Sequence, residues 1–257
     1  MWQILRYLKG FYMALGMFIG IPLPYHFWDE KYTAIMVASI PFVGAILGTL
    51  WWLAGVLLIT ANIPVMLAAA VLAMVPFFIA GFIHLDGYMD TSDAVLSWRP
   101  LEDKLRILKD PHVGSFAVVM LGILFVFQFA AMYTIAETGQ YLALIIAIAV
   151  ISRCCSAMSI FFLRHMPESN YTSMLSQNVK ISHRIFVVAV TILGIGAAFF
   201  YAGVFGLIVA GAVILGYGVA IRFVSKNLKG ISGDLLGYAM VISEVCGLVA
   251  LAALQGR

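Results

Sequence analysis

Three aspartates, Asp86, Asp90 and Asp93, stand at i, i+4 and i+7 in the run His84-Leu85-Asp86-Gly87-Tyr88-Met89-Asp90-Thr91-Ser92-Asp93. On a helix of 3.6 residues per turn these positions share one face. Carboxylates held so close in a partly dehydrated setting repel one another unless they hold protons or share a cation. No basic residue is interleaved at salt-bridging spacing, so a metal is the better reading. The alternative is the solvated acidic face of an ordinary loop helix. Hard oxygen ligands on one helix suit Mg²⁺, which a few carboxylates hold while phosphate oxygens complete its shell. The stripe therefore points to a metal and to phosphate chemistry, without naming a substrate.

Other polar residues have two readings each. Arg99, Lys104, Arg106 and Lys109 form a basic stretch that ends in Asp110 and His112. Beside a metal it would bind phosphates or a nucleotide; alone it would be a topological anchor or a solvated helix face. Gly230-Ile231-Ser232-Gly233-Asp234 follows Lys226 and Lys229. Glycine amides at a helix start make an anion site, and Asp234 there could equally be a plain N-cap. His84 and His112 flank the acidic run as candidate proton carriers or as hydrogen-bonded bystanders. Arg153 and Glu244 lie inside apolar runs, where a charge has a functional or a paired role.

The elements that must position these residues are membrane helices. Hydrophobic residues make up 63% of the 257, charged residues 11%, and the mean hydropathy is +1.04. A soluble chain of this length carries about 25% charged residues. The apolar residues come in runs of about 20, the length that crosses the hydrocarbon core. Strand-like alternation is absent, and lipid leaves the backbone no partner but itself, so each run is expected to be a helix. The expected fold is all-α, a polytopic transmembrane helical bundle forming a single domain over residues 1–257. Seven spans are read at 33–59, 64–83, 113–136, 140–163, 185–201, 204–224 and 235–254. Residues 11–23 are too short to cross and end in Pro22-Leu23-Pro24, so they read as an interfacial or re-entrant helix. Arg6 and Lys9 precede them, but no small-x-small cleavage site follows, which argues against a signal peptide.

Loop charges then orient the chain. One side receives the N-terminus and the loops 25–32, 84–112, 164–184 and 222–234; the other receives the short turns near 61, 137–139 and 203. All lysines and arginines fall on the first side except Arg153 within a span and Arg257 at the end. By the positive-inside rule that side is the cytoplasm, and the acidic run lies on it. The polar segment 164–184 is read as a cover over the site. A net charge of +3 gives no footprint for nucleic acid. Cys154, Cys155 and Cys246 lie in apolar runs without ligand spacing and read as small packed residues.

The combination resembles the cobalamin synthase family. His84-Leu85-Asp86-Gly87-x-x-Asp90-Thr91-x-Asp93, then Ser97, then Leu108-Lys109-Asp110-x-His112-x-Gly114, carries the specific part of the likeness. Ser152-Arg153, Gly233-Asp234-x-x-Gly237 with Glu244, and Pro22-x-Pro24 support it over residues 10 to 250. Members of the family often have Arg two residues before the first of those prolines, where Gly20 stands here.

The resemblance implies a Mg²⁺-dependent membrane transferase that joins adenosylcobinamide-GDP to α-ribazole or its 5′-phosphate and releases GMP. It would place Asp86, Asp90 and Asp93 on the metal, with one of them or His84 accepting a proton. Lys104, Lys109, Asp110, His112, Arg153, Gly233, Asp234 and Glu244 would bind substrate. Two other readings stay open. One is another membrane transferase of pyrophosphate substrates, of the prenyl or CDP-alcohol type, although neither a second Asp-rich motif nor the CDP-alcohol signature is present. The other is a transporter, prompted by Arg153 and Glu244. Oligomeric state, a homo-oligomer included, is not legible.

Overall fold

The computed structural model describes residues 2–167 and 169–255. Arg257, one of the two exceptions to the charge pattern, lies outside them. Among the described residues eleven α-helices follow in order: α1 (Trp2–Phe18), α2 (Thr33–Thr60), α3 (Val65–Ala80), α4 (Ile83–Leu96), α5 (Leu101–Ile107), α6 (Ser115–Thr138), α7 (Leu144–Phe162), α8 (Asn170–Leu175), α9 (Ile181–Ala202), α10 (Val204–Leu228) and α11 (Gly233–Gln255). No strand occurs among the described residues. A single bridge, His165 with Ile231, ties the segment before α8 to the turn before α11.

Six of these helices are long and apolar enough to cross a membrane: α2 with the turn before it, α6, α7, α9, α10 and α11. α3 makes a seventh if it is counted with α4, from which it is bent by 96°. These are the seven runs read from the sequence, in order. α7 is the most enclosed of the spans, while outward residues such as Val126, Leu193, Leu215 and Phe200 are bare. That distribution, apolar outside as well as inside, is what lipid solvent requires.

Two expectations change. The N-terminal helix covers Trp2–Phe18 instead of beginning near residue 11, and it packs on α2 through Met13 and Ala14. Its 17 residues reach about 26 Å at 1.5 Å per residue, still short of a crossing. Second, the region 84–112, read as a cytoplasmic loop with its aspartates on a helix face, forms that helix but packs it into the bundle: α4 lies between α11 and α6. The turn that produces α4 is made by Gly81 (φ 67°) and Phe82 (φ 64°), two consecutive left-handed residues that end α3. Here the chain also meets Gly20. Its N–H donates to Ile79 O at 2.7 Å, and a Cβ on Gly20 would lie 2.5 Å from Gly81 Cα. The departure from the family pattern at Gly20 thus has a physical reason, because this backbone-to-backbone approach leaves no room for a side chain.

Candidate functional site

α4 carries its polar stripe as its periodicity predicts. Leu85, Tyr88, Thr91, Ser92 and Val95 are buried against α6 and α11, while Asp86 is exposed and Asp90 and Asp93 are half-buried. Tyr88 fixes the rotation of the helix: its hydroxyl donates to Met120 O at 3.1 Å, and its ring stacks on Tyr238 at 5.3 Å.

Two glycines set how closely α4 approaches α11. A Cβ on Gly87 would sit 2.8 Å from the Asp234 backbone, and one on Gly237 would sit 3.2 Å from the His84 backbone. With neither present, the two backbones touch, and Asp234 joins the acidic stripe as a fourth carboxylate. Ser232, not Asp234, takes the cap position of α11: the Leu235 N–H points at its Oγ at 3.5 Å, and the Ser232 hydroxyl donates to Asp234 Oδ2 at 3.4 Å. The plain N-cap reading of Asp234 is therefore corrected. Gly114, before α6, closes the other side. A Cβ there would overlap the Asp93 carboxylate at 1.9–2.2 Å, so the backbone at Gly114 lies directly against Asp93.

The electrostatics match this crowding. Among the described residues none of Asp86, Asp90, Asp93 and Asp234 forms an ion pair. Burial first, then the charges of Asp86, Asp234 and Asp93, pushes the Asp90 carboxyl up to about 6. The side chains are not drawn together as a ready cage: no group of three His, Cys, Asp or Glu converges on one point among the described residues. The donor set is hard oxygen throughout, uncompensated, and able to take a hard divalent cation whose shell a phosphate completes.

The remaining candidates separate. Lys109, Asp110 and His112 are exposed at the rim. His112 Nδ1 lies 2.7 Å from Asp110 Oδ1, and this contact with the His112 N–H holds the Asp110 carboxyl below its usual range. Lys104 is buried and donates to Asn227 Oδ1 at 3.0 Å, so it joins α5 to α10 instead of facing the stripe. Arg153 and Glu244 form a buried ion pair, 3% and 11% exposed. Ser152 Oγ donates to Glu244 Oε1 at 2.9 Å, and Arg153 Nη1 donates to Ala149 O at 3.1 Å. They pair with each other between α7 and α11. His84 is turned inward; burial and then the Arg153 charge push its pKa down to about 3, so it is neutral and a weak base.

Two features were not singled out in advance. Ser156 and Thr172 line a cavity beside His84 and Asp234. Ser152, Ser156 and Ser159 form a buried polar stripe on an otherwise apolar span, and that spacing was the available signal. Thr172 lies on α8, so the segment read as a cover does reach the site.

The chain matches the family model described as cobalamin-5-phosphate synthase over residues 10–252. It is 36% identical over 243 residues to a protein of Clostridium perfringens (strain ATCC 13124) named adenosylcobinamide-GDP ribazoletransferase, covering 95% of this chain and 97% of that one. Proteins of the same name from Lachnoclostridium phytofermentans (30% identical; 98% and 96% covered) and Stutzerimonas stutzeri (32%; 84% and 86%) are also similar. No solved structure matches.

Proposed function

This chain belongs to the cobalamin-5-phosphate synthase family, and from that premise we propose how its residues perform the family's reaction. The enzyme is a membrane ribazoletransferase of late cobalamin assembly: it joins adenosylcobinamide-GDP to α-ribazole or its 5′-phosphate and releases GMP. The acidic stripe faces the cytoplasm, where these water-soluble substrates arrive. Asp86, Asp90 and Asp93, with Asp234 across the helix contact, would hold Mg²⁺. When bound, such an ion would supply neutralisation of the charge that develops on the departing phosphate.

The chain's own groups do the rest. Lys109 at the rim and the open start of α11, where Gly233 has no neighbour within 4 Å of a Cβ position, receive the oxygens of the GMP half. A ribazole hydroxyl forms the new bond to the cobinamide-linked phosphorus. The bond from that phosphorus to the bridging oxygen breaks, and GMP departs with the oxygen. Asp93 takes the hydroxyl proton; neutral His84 is unsuited to that role. The Arg153–Glu244 pair positions α7 against α11 and so holds Asp234 in place.

The observation that carries this assignment is the set of four carboxylates at the α4–α11 crossing with no cationic partner among the described residues. Purified protein in detergent, given GDP-activated cobinamide, α-ribazole and Mg²⁺, should release GMP. Release of CMP or inorganic pyrophosphate from the alternative substrates instead would point to the other transferase classes. Solute flux in liposomes without nucleotide would point to a transporter.

A further inference from the structure

Beside the acidic stripe lies a cavity of about 190 Å³, enclosed by the end of α1 and by α4, α7, α8 and α11. At about 30 Å³ per molecule it would hold roughly six waters. Its walls are apolar on several sides, with Phe18, Ile160, Leu175 and Met240 contributing. Phe18 and His84 set their rings nearly parallel, at 16°. His84 lines the cavity, and its Nε2 is buried with no hydrogen-bond partner among the described residues. A buried polar atom left without a partner is costly, so a ligand that completes the bond is favoured here. At one edge the cavity reaches Asp234, which belongs to both the cavity and the acidic cluster.

We propose that this cavity holds the flat, apolar nitrogen heterocycle of the acceptor, the benzimidazole of ribazole, with its free ring nitrogen accepting a hydrogen bond from His84 Nε2. The inference rests on the function proposed above. The ribose then extends past Asp234 toward the stripe, which brings its hydroxyl to the pyrophosphate. Other ring systems take part in the reaction. A guanine could use the polar edge at Ser156, Thr172 and Asp234. Its several donors and acceptors would still face Phe18, Ile160, Leu175 and Met240 on the remaining sides. It also belongs to the other substrate, so the separate KM values below distinguish the two. A corrin ring is far too large for this volume. A benzimidazole has one acceptor nitrogen and otherwise buries apolar surface.

The test is steady-state GMP release by the full chain in detergent, with each substrate varied separately. Free 5,6-dimethylbenzimidazole should compete with α-ribazole and not with adenosylcobinamide-GDP. Ser156→Leu, which fills the cavity, should raise KM for α-ribazole at least tenfold and change KM for adenosylcobinamide-GDP by less than twofold. Leu175→Trp, on the shorter α8, should act in the same direction if Ser156→Leu does not fold. A water-filled cavity with no role in binding would leave both KM values unchanged, and that overturns the proposal. So does a rise confined to the corrinoid substrate, or a free base that fails to compete. Wild type that releases no GMP from this substrate pair would instead remove the functional reading itself.

Discussion

Burial and the neighbouring carboxylates Asp86, Asp234 and Asp93 act on Asp90, and its behaviour leads to a pH test. Its carboxyl moves from the ordinary 3.8 to about 6 in the folded chain. A carboxyl raised in this way binds more protons folded than unfolded, so the metal-free protein loses stability as pH rises through that interval. Mg²⁺ reverses the effect only once the proton has left. The rise in melting temperature on adding Mg²⁺ should therefore be small near about pH 5 and full near about pH 7.5. An equal rise at both values would remove Asp90 from the metal. Asp86→Asn and Asp90→Asn should each lower GMP release about 100-fold or more at limiting Mg²⁺. Near wild-type turnover in both variants would mean that the metal is held elsewhere.

α4 and α11 can touch only because Gly87 and Gly237 carry no side chain, and this contact between elements builds the site. Gly87→Ala places a methyl 2.8 Å from the Asp234 backbone. The chain must shift, at about 1–3 kcal/mol, and turnover should fall more than the loss of stability alone explains. Gly122→Ala on α6, where a Cβ meets nothing within 4 Å, should instead match or slightly exceed wild-type stability, because alanine is the better helix former. The α7–α11 contact depends on a different device. Glu244→Ala leaves Arg153 buried and unpaired, and should cost about 3–5 kcal/mol in detergent unfolding experiments. Replacing both partners with Arg153→Met and Glu244→Leu should recover most of that loss, since packed apolar residues remove the stranded charge. Failure to recover would show that the pair does more than lock two helices.

For the molecule as a whole, the proposal needs the stripe, the basic stretch and α8 on one side of the membrane. Cys154, Cys155 and Cys246 lie within spans and are buried or half-buried, so the background for thiol labelling is low. Glu102→Cys, on α5, should react with an impermeant maleimide only from the cytoplasmic side. Glu137→Cys, at the end of α6, should react only from the opposite side. Labelling of both from one side would invalidate the seven-span arrangement and the cytoplasmic placement of the site.

How much was legible follows from how far each signal reaches along the chain. Lipid forces each long apolar run to satisfy its own backbone, so the helical class and the order of the crossings could be read locally. The one-face placement of Asp86, Asp90 and Asp93 was likewise a matter of helical period. The Gly87 and Gly237 spacings were visible as parts of motifs, but their purpose was not, because each glycine is explained by a backbone nearly 150 residues away along the chain. Long separation along the chain also hid the recruitment of Asp234 into the stripe and the holding of Lys104 by Asn227. It hid the Arg153–Glu244 pair, offered in advance only as one option, and the cavity where His84 turns inward. The sequence determined by itself that the chain spans a membrane and carries an acidic helix face. The tertiary structure decided which carboxylates share that site and what surrounds it, because those contacts join elements distant along the chain.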